Sequence, residues 1–387
     1  MSTVLQQIEI NQIEKESYIV KNRSTGKFVK IGERETDYLK FLTSTEYSND
    51  SAISYTGELN SEQQQYLFDK YTEWGFLSNN TAESSGNQTR RHKFKTMFNS
   101  DITTIKLATV NPEKFLNSNI KIIKLLFSPL VMLIGLLIML TSGWMVFNPE
   151  VVDVILEYKL NTSVVILLYI LIILTICIHE LAHAVTCKYF GGRVEKLGVM
   201  LFYFNPAMYC DISDVYLFKH KWKKIAVAFS GIFTQWMLSA LAIQCYSFLN
   251  FFFSYNQPLL LYYALVNFGV GLFNLIPFVK LDGYWILTYV LNITNLRGKS
   301  FNYLLSFLKF NPLYRKQYSG KEKAAFLIYG TLSVVYTILL WFTALFSIYK
   351  LVNKYSPIAG LTVSLALGSI LGLNFIFTMQ KQWKSIE

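Results

Sequence analysis

The chain has 387 residues, of which 52% are hydrophobic, 16% aromatic and only 16% charged, against about 25% charged in ordinary soluble domains. Its net charge of +11 comes without a basic stripe interleaved with aromatics, which argues against a nucleic-acid surface. The basic residues gather in particular loops instead, as in membrane proteins whose loop charges set orientation. Composition therefore points to a multi-spanning membrane protein with a soluble portion. Residues 1–95 contain no apolar stretch of the signal-peptide kind. The four cysteines, Cys177, Cys187, Cys210 and Cys245, all lie in or beside apolar segments, so no secreted-type disulfide framework is implied.

Residues 1–78 read as a small soluble domain. Tyr18-Ile19-Val20 and Phe28-Val29-Lys30-Ile31 are strand candidates around the turn-like Arg23-Ser24-Thr25-Gly26. Asp37 to Leu42 and Ser61 to Phe76 read as amphipathic helices, with Ser61 as an N-cap. A hairpin followed by helices suggests a winged-helix-like α+β unit. Residues 79–100 read as a linker, and His92 within it as a solvated residue. Residues 101–124 read as a helix lying at the membrane interface.

Six spans are expected at about 125–147, 163–185, 225–248, 259–277, 325–349 and 358–379, each near the ~20 residues a bilayer needs. The expected fold is thus an all-α polytopic membrane protein, with a spanning domain over 125–387 and the small α+β domain ahead of it. No internal repeat is evident, which weakens a transporter reading. Segments 186–224 and 292–323 carry fourteen Lys and Arg, and the opposite loops only Lys159, Lys350 and Lys354. That imbalance predicts cytoplasmic termini and a second span running outside to inside.

Near the inner end of that span stands His179-Glu180-Leu181-Ala182-His183. Histidines at i and i+4 share one helix face, and neutral imidazoles so placed can both reach one zinc ion. Glu180 is then positioned to act as general base on an attacking water. A chance pair on a buried helix face is the plain alternative, but ionisable groups in a bilayer cost several kcal/mol each and mark function by default. Catalytic zinc takes three protein ligands. The third candidate is Asp282, which follows the fourth span, also running outside to inside, and so falls at a matching depth. Its alternative role is to cap the helix from Gly283 to Leu291. Cys177 and Cys187 flank the motif as thiolates or, more simply, as small buried residues.

Gly198 to Tyr209 is almost wholly apolar yet too short to span. It reads either as a buried loop or as a re-entrant hairpin whose free edge pairs with an extended substrate backbone. Asp211 and Asp214 read as partners to the histidines or as an interfacial turn.

His-Glu-Leu-Ala-His ending one span and Leu281-Asp282-Gly283-Tyr284 after another resemble the site-2 protease family of intramembrane zinc metalloproteases. The resemblance implies zinc held by His179, His183 and Asp282, with Glu180 as general base. Lys280 and Leu281 stand where that family has Asn-Pro before Asp-Gly, while Asn274 and Pro277 lie slightly earlier. The stretch Phe204-Asn205-Pro206-Ala207-Met208-Tyr209-Cys210-Asp211-Ile212-Ser213-Asp214, the stretch from Lys223 to Gly231 and Asn295-Leu296-Arg297 are similar to the peptide zinc metalloprotease branch. That branch implies a bacterial cell membrane and the maturation or export of a bacteriocin-like, ribosomally made peptide. Asn274, Asn205 and Asp211 are the candidate substrate contacts. Residues 15–78 resemble the leader-binding RiPP recognition element in element order, implying contact with a leader peptide.

The expected substrate is a peptide or single-span membrane protein within the lipid bilayer, and no nucleic acid is expected. A signalling protease that cuts a membrane-anchored regulator or a signal-peptide remnant is the second reading. A non-catalytic immunity or transport protein with a structural metal site is the third, though such a site has no need of Glu180.

Overall fold

The structure, a computed structural model, describes residues 8–14, 17–23, 27–44, 55, 57, 59–77, 104–158, 161–202, 205–253, 257–308 and 317–384. The expected linker with His92, and the tip of the first hairpin at 24–26, lie outside the described residues. The chain divides into two compact units, Met1–Asn267 and Phe268–Glu387.

The first unit begins with three antiparallel strands, β1 (Ile8–Glu14), β2 (Ser17–Asn22) and β3 (Phe28–Gly32), in the order β1-β2-β3. The two expected strands are β2 and β3, and β1 adds a third. Helices α1 (Glu33–Ser44) and α2 (Ser61–Glu73) cover the sheet. Val20, Tyr38, Leu39, Leu42, Tyr71, Phe76 and Leu77 form their shared core. The α2 cap is Asn60 rather than Ser61. Asn60 accepts the Gln63 amide at 2.8 Å, and the Gln63 side chain accepts the Asn60 amide in return, a capping box.

The region expected as one interfacial helix is different. Thr104–Val110 forms a strand, β4, followed by two short helices, α3 (Glu113–Ser118) and α4 (Ile120–Leu126). Its Thr-Ile-Lys-Leu-Ala-Thr-Val sequence is rich in β-branched residues, which fit a pleated surface better than a helix. β4 pairs antiparallel with β5 (Leu197–Phe202), which pairs with β6 (Asn205–Cys210) in a sheet ordered β4-β5-β6. The apolar stretch from Gly198 is therefore a hairpin.

Helices α5 (Pro129–Val146), α6 (Pro149–Glu157), α7 (Thr162–Tyr189), α8 (Lys221–Phe253) and α9 (Pro258–Leu275) complete the helical part of this unit, with α9 running on into the next. α8 packs against both α5 and α7. Buried hydroxyls join these apolar helices, since a polar group in hydrocarbon needs a partner on a neighbouring helix. Ser142 donates to the Ala240 carbonyl at 2.9 Å, and Ser239 to the Ala264 carbonyl at 2.8 Å. The Thr175 and Tyr263 hydroxyls lie 2.6 Å apart.

The second unit holds the end of α9, then α10 (Asp282–Leu291), α11 (Leu296–Leu308), α12 (Gly320–Asn353) and α13 (Pro357–Lys384). Tyr284, Ile293, Leu296, Tyr303, Phe326 and Tyr329 form its aromatic core. Asn292, left-handed at φ 54°, ends α10, a standard way to close a helix.

Among the described residues, five helices, α5, α7, α8, α9 and α12, are long and apolar enough to cross a membrane. The sixth expected span falls in α13, whose apolar stretch Pro357–Leu373 is shorter.

The N-terminal sheet is tied to the segment after β6, a 3-10 turn over Ser213–Leu217. Lys21 Nζ lies 2.5 Å from Asp214 Oδ1, both side chains only 4% exposed. Arg23 donates to both Asp214 oxygens, at 2.9 and 3.2 Å, and also to Glu9 and Glu195. The Phe28 and Tyr216 rings stack at 4.4 Å. Burial alone would raise the Asp214 carboxyl, but Lys21, the Arg193 amide and Arg23 together hold it below the usual carboxylate range. A carboxyl held low contributes stability that is full above its unfolded value near ~4 and is lost as pH falls through the folded value. The difference in Tm between wild type and Asp214→Asn should therefore stay constant from about pH 8 to 5 and shrink below about pH 4. A difference that persists at pH 3 would show that the charge on Asp214 is not its source.

Candidate metal centre

α7 starts at Asn161, whose side chain accepts the Val164 amide at 2.9 Å, and runs 28 residues to Tyr189. Its long apolar run leaves few polar side chains. His179 and His183 are buried, at 6% and 4% exposure, and Glu180 is half-buried. The ligand atoms of His179, Glu180 and His183 all lie within 4.8 Å of one another.

The facing helix, α8, builds the rest of the pocket. His183 Nδ1 lies 2.7 Å from the Val227 carbonyl, so Nδ1 carries the proton and donates it. That hydrogen bond assigns the tautomer and leaves Nε2 with a lone pair, the form a metal needs. Ser230 Oγ donates to the same carbonyl at 2.7 Å. The two Nε2 atoms are 3.1 Å apart, close to the ~3.3 Å spanned by two zinc–nitrogen bonds of about 2.0–2.1 Å at a tetrahedral angle.

Gly231 stands one turn beyond Val227, against both rings. A Cβ there would fall 2.5 Å from His179 Nε2 and 2.7 Å from His183 Nε2. The missing side chain leaves space directly beside both donor atoms. Two imidazole nitrogens, one carboxylate and a small cradle suit zinc, a borderline-soft ion that prefers nitrogen with limited oxygen.

β6 packs on α7. Burial first, and then the Glu180 charge, push the Cys210 thiol at the end of β6 upward. Cys210 is thus a neutral thiol within electrostatic reach of Glu180. Cys187 is buried and Cys177 partly so.

The remaining expected site residues are placed as follows. Asn205 opens β6. Asp211 accepts the Ser213 amide at 3.2 Å and the Ser213 hydroxyl at 2.5 Å, the local turn that was one of its two readings. Asp214 faces Lys21 and Arg23 instead of the histidines. Asp282 and Asn274 belong to the second unit. Asp282 is the first residue of α10, whose N-cap is Leu281, so it does not cap that helix. A Cβ on Gly283 would fall 2.1 Å from the Leu275 carbonyl oxygen and 3.0 Å from that of Asn274. The glycine of the Asp-Gly pair therefore lets the start of α10 lie against the end of α9, beside the Asn274 carbonyl.

Two contributors escaped the sequence reading. The Val227 carbonyl is backbone and carries no residue signature. Gly231 was visible only as part of the Phe229-Ser230-Gly231 string.

A known protein is similar. Over 129 residues the chain is 33% identical to a Bacillus subtilis (strain 168) protein named "Putative peptide zinc metalloprotease protein YydH". The match covers 33% of this chain and 49% of that protein, so the chain spans about half the length of this relative. No family model matches the chain, and no solved structure matches it.

Gly231→Ala tests the cradle. In a helix interior this change improves intrinsic propensity by about 1 kcal/mol, so α8 itself should not suffer. Zinc affinity should fall on the order of 10- to 100-fold, as when the support of a metal ligand is lost. Zinc titration of the purified chain checks this, and wild-type affinity in the variant would refute the cradle.

Proposed function

We propose that the chain is an intramembrane zinc endopeptidase of the site-2 protease type. Its substrate is a membrane-associated or leader-bearing peptide, cut during the maturation or export of a bacteriocin-like product. The observation that carries this reading is the His179–Glu180–His183 cluster, placed in a helix of spanning length with the Nε2 atoms of both imidazoles beside one small cradle. The relative's name supports a metalloprotease that uses zinc.

His179 and His183 would hold the ion, and Asp282 is the third ligand that the resemblance to the site-2 protease family implies. When bound, zinc supplies Lewis acidity toward the attacking water and the scissile carbonyl. Glu180 takes a proton from that water on a carboxylate oxygen as the new carbon–oxygen bond forms. It returns the proton to the leaving amine nitrogen as the peptide carbon–nitrogen bond breaks, which leaves a carboxylic acid and an amine. The Val227 carbonyl keeps the His183 proton on Nδ1 throughout. The buried imidazoles, packed between α7 and α8, leave little room for bulk water, which strengthens each of these charges.

A protease needs an extended substrate. β6 is an edge of its sheet and packs on α7. Its outer backbone groups are suited to receive a peptide strand beside Glu180, with Asn205 and Asp211 as contacts, and Asn274 is the further substrate contact that the sequence suggests. The N-terminal domain, as a winged-helix-like unit, would hold a leader through residues 15–78. The chain spans a bacterial cell membrane six times, with both termini cytoplasmic.

Peptides from cells expressing wild type or Glu180→Gln, compared by mass spectrometry, test this. An uncut precursor should accumulate with the variant, its cleavage slowed about 10²- to 10⁴-fold, the usual worth of a general base, while the purified variant keeps its zinc. Identical peptide profiles from the two strains would overturn the assignment.

A further inference from the structure

The mechanism above uses the middle of α7 and leaves its far end unexplained. There the chain leaves the helix through Gly191, at φ 90°, and Gly192 N is the last amide to bond back to it, at 3.0 Å from the Cys187 carbonyl. Two successive backbone donors, Arg193 N and Val194 N, are taken by carboxylates from two distant segments. Asp214 Oδ2 accepts the first at 2.9 Å, and Glu113 Oε2 accepts the second at 3.1 Å.

Each carboxylate is also gripped on its other oxygen. Glu113 Oε1 takes Lys188, a residue of α7 itself, at 2.5 Å. Asp214 Oδ1 takes Lys21 and Arg23 of the N-terminal domain. The connection runs from α7 through Lys188 to Glu113, and from the turn after α7 through Asp214 to the central strand β2. Lys188 lies about one and a half helical turns beyond His183. Surface ion pairs contribute little, whereas a buried pair demands close geometry to offset desolvation. Both pairs are shielded, and the Lys21–Asp214 pair is almost wholly so.

We propose that Asp214 and Glu113 are positioning residues for the metal helix, and that Lys21 and Arg23 make the N-terminal sheet part of that hold. The N-terminal domain then acts on the His179–His183 pair through rigid contacts, and a ligand that shifts β2 changes the metal site. This inference rests on the zinc centre proposed above.

The test uses the full-length, zinc-loaded chain in detergent. Arg23→Gln and Glu113→Gln are compared with wild type, and His179→Ala serves as the control for the centre itself. Arg23 is partly at the surface, so its replacement leaves the fold standing even where Lys21→Met does not. Three quantities are read: the rate of zinc loss to a colorimetric chelator, the d–d absorption bands of the cobalt(II)-substituted protein, and amide exchange over 188–196. Both variants should lose zinc on the order of tenfold faster, the low end for loss of an outer support of a metal ligand. They should also shift the cobalt bands and exchange faster at Arg193 and Val194. Purely structural support would leave the cobalt bands in place. Wild-type zinc loss and wild-type cobalt bands in both variants would overturn the proposal, whatever the exchange shows. If His179→Ala keeps zinc as tightly as wild type, the fault lies with the metal centre and not with the positioning residues.

Discussion

The hydrogen bond from His183 Nδ1 to the Val227 carbonyl is the interaction on which the site depends. It joins two spanning-length helices at one point and sets the protonation of the imidazole at the same time. His179 and His183 are one turn apart on α7, and Val227 and Gly231 are one turn apart on α8. The two helices thus face each other in matching register, with donors opposite a carbonyl and a gap. The Val227 carbonyl accepts from both Ser230 Oγ and His183 Nδ1, which draws on both of its lone pairs. Any rotation of α8 about its axis would move the carbonyl and the gap together.

The second constraint is that charge in an apolar setting must be matched. Elsewhere in the first unit it is met by hydroxyls bonded to carbonyls of neighbouring helices, as Ser142 and Ser239 do. Beyond the end of α7 it is met by pairing carboxylates with cations and amides together. Glu180 is half-buried beside the two histidines. An ionisable side chain beside two imidazoles is worth its desolvation only where its charge is used, which favours a catalytic centre over a structural one.

Much of this was legible in the residues. Spans declare themselves by length and apolarity because hydrocarbon admits no other solution, and α7 carries its motif on one face by simple periodicity. The N-terminal strands β2 and β3 stood out through their β-branched and aromatic content. β1 did not, although Ile8-Glu9-Ile10 alternates, because the alternation breaks at Asn11-Gln12. β4 was misread because its partner, β5, lies far along the chain, and a single amphipathic stretch does not say which neighbour will complete it. The cap of α2 moved one residue because Asn and Ser compete for that position on nearly equal terms. Asp214 was recognisable as a charge, but its partners Lys21 and Arg23 lie 193 and 191 residues earlier in the chain. The Val227 carbonyl could not be read at all, since every residue type carries one.

The pairing of β4 with β5 also bears on biogenesis. β4 is synthesised ahead of α5 and α7, and its partner only after both, about ninety residues later. At roughly 5–20 residues per second, β4 waits on the order of 5–20 s with an open edge. Such edges invite wrong partners, so the interval is a window in which a chaperone or the nascent N-terminal domain has something to shield. The histidines emerge before Val227 and Gly231, so the metal pocket closes later still. A ribosome stalled between β5 and α8 would expose a chain that has both histidines but not the glycine that faces them.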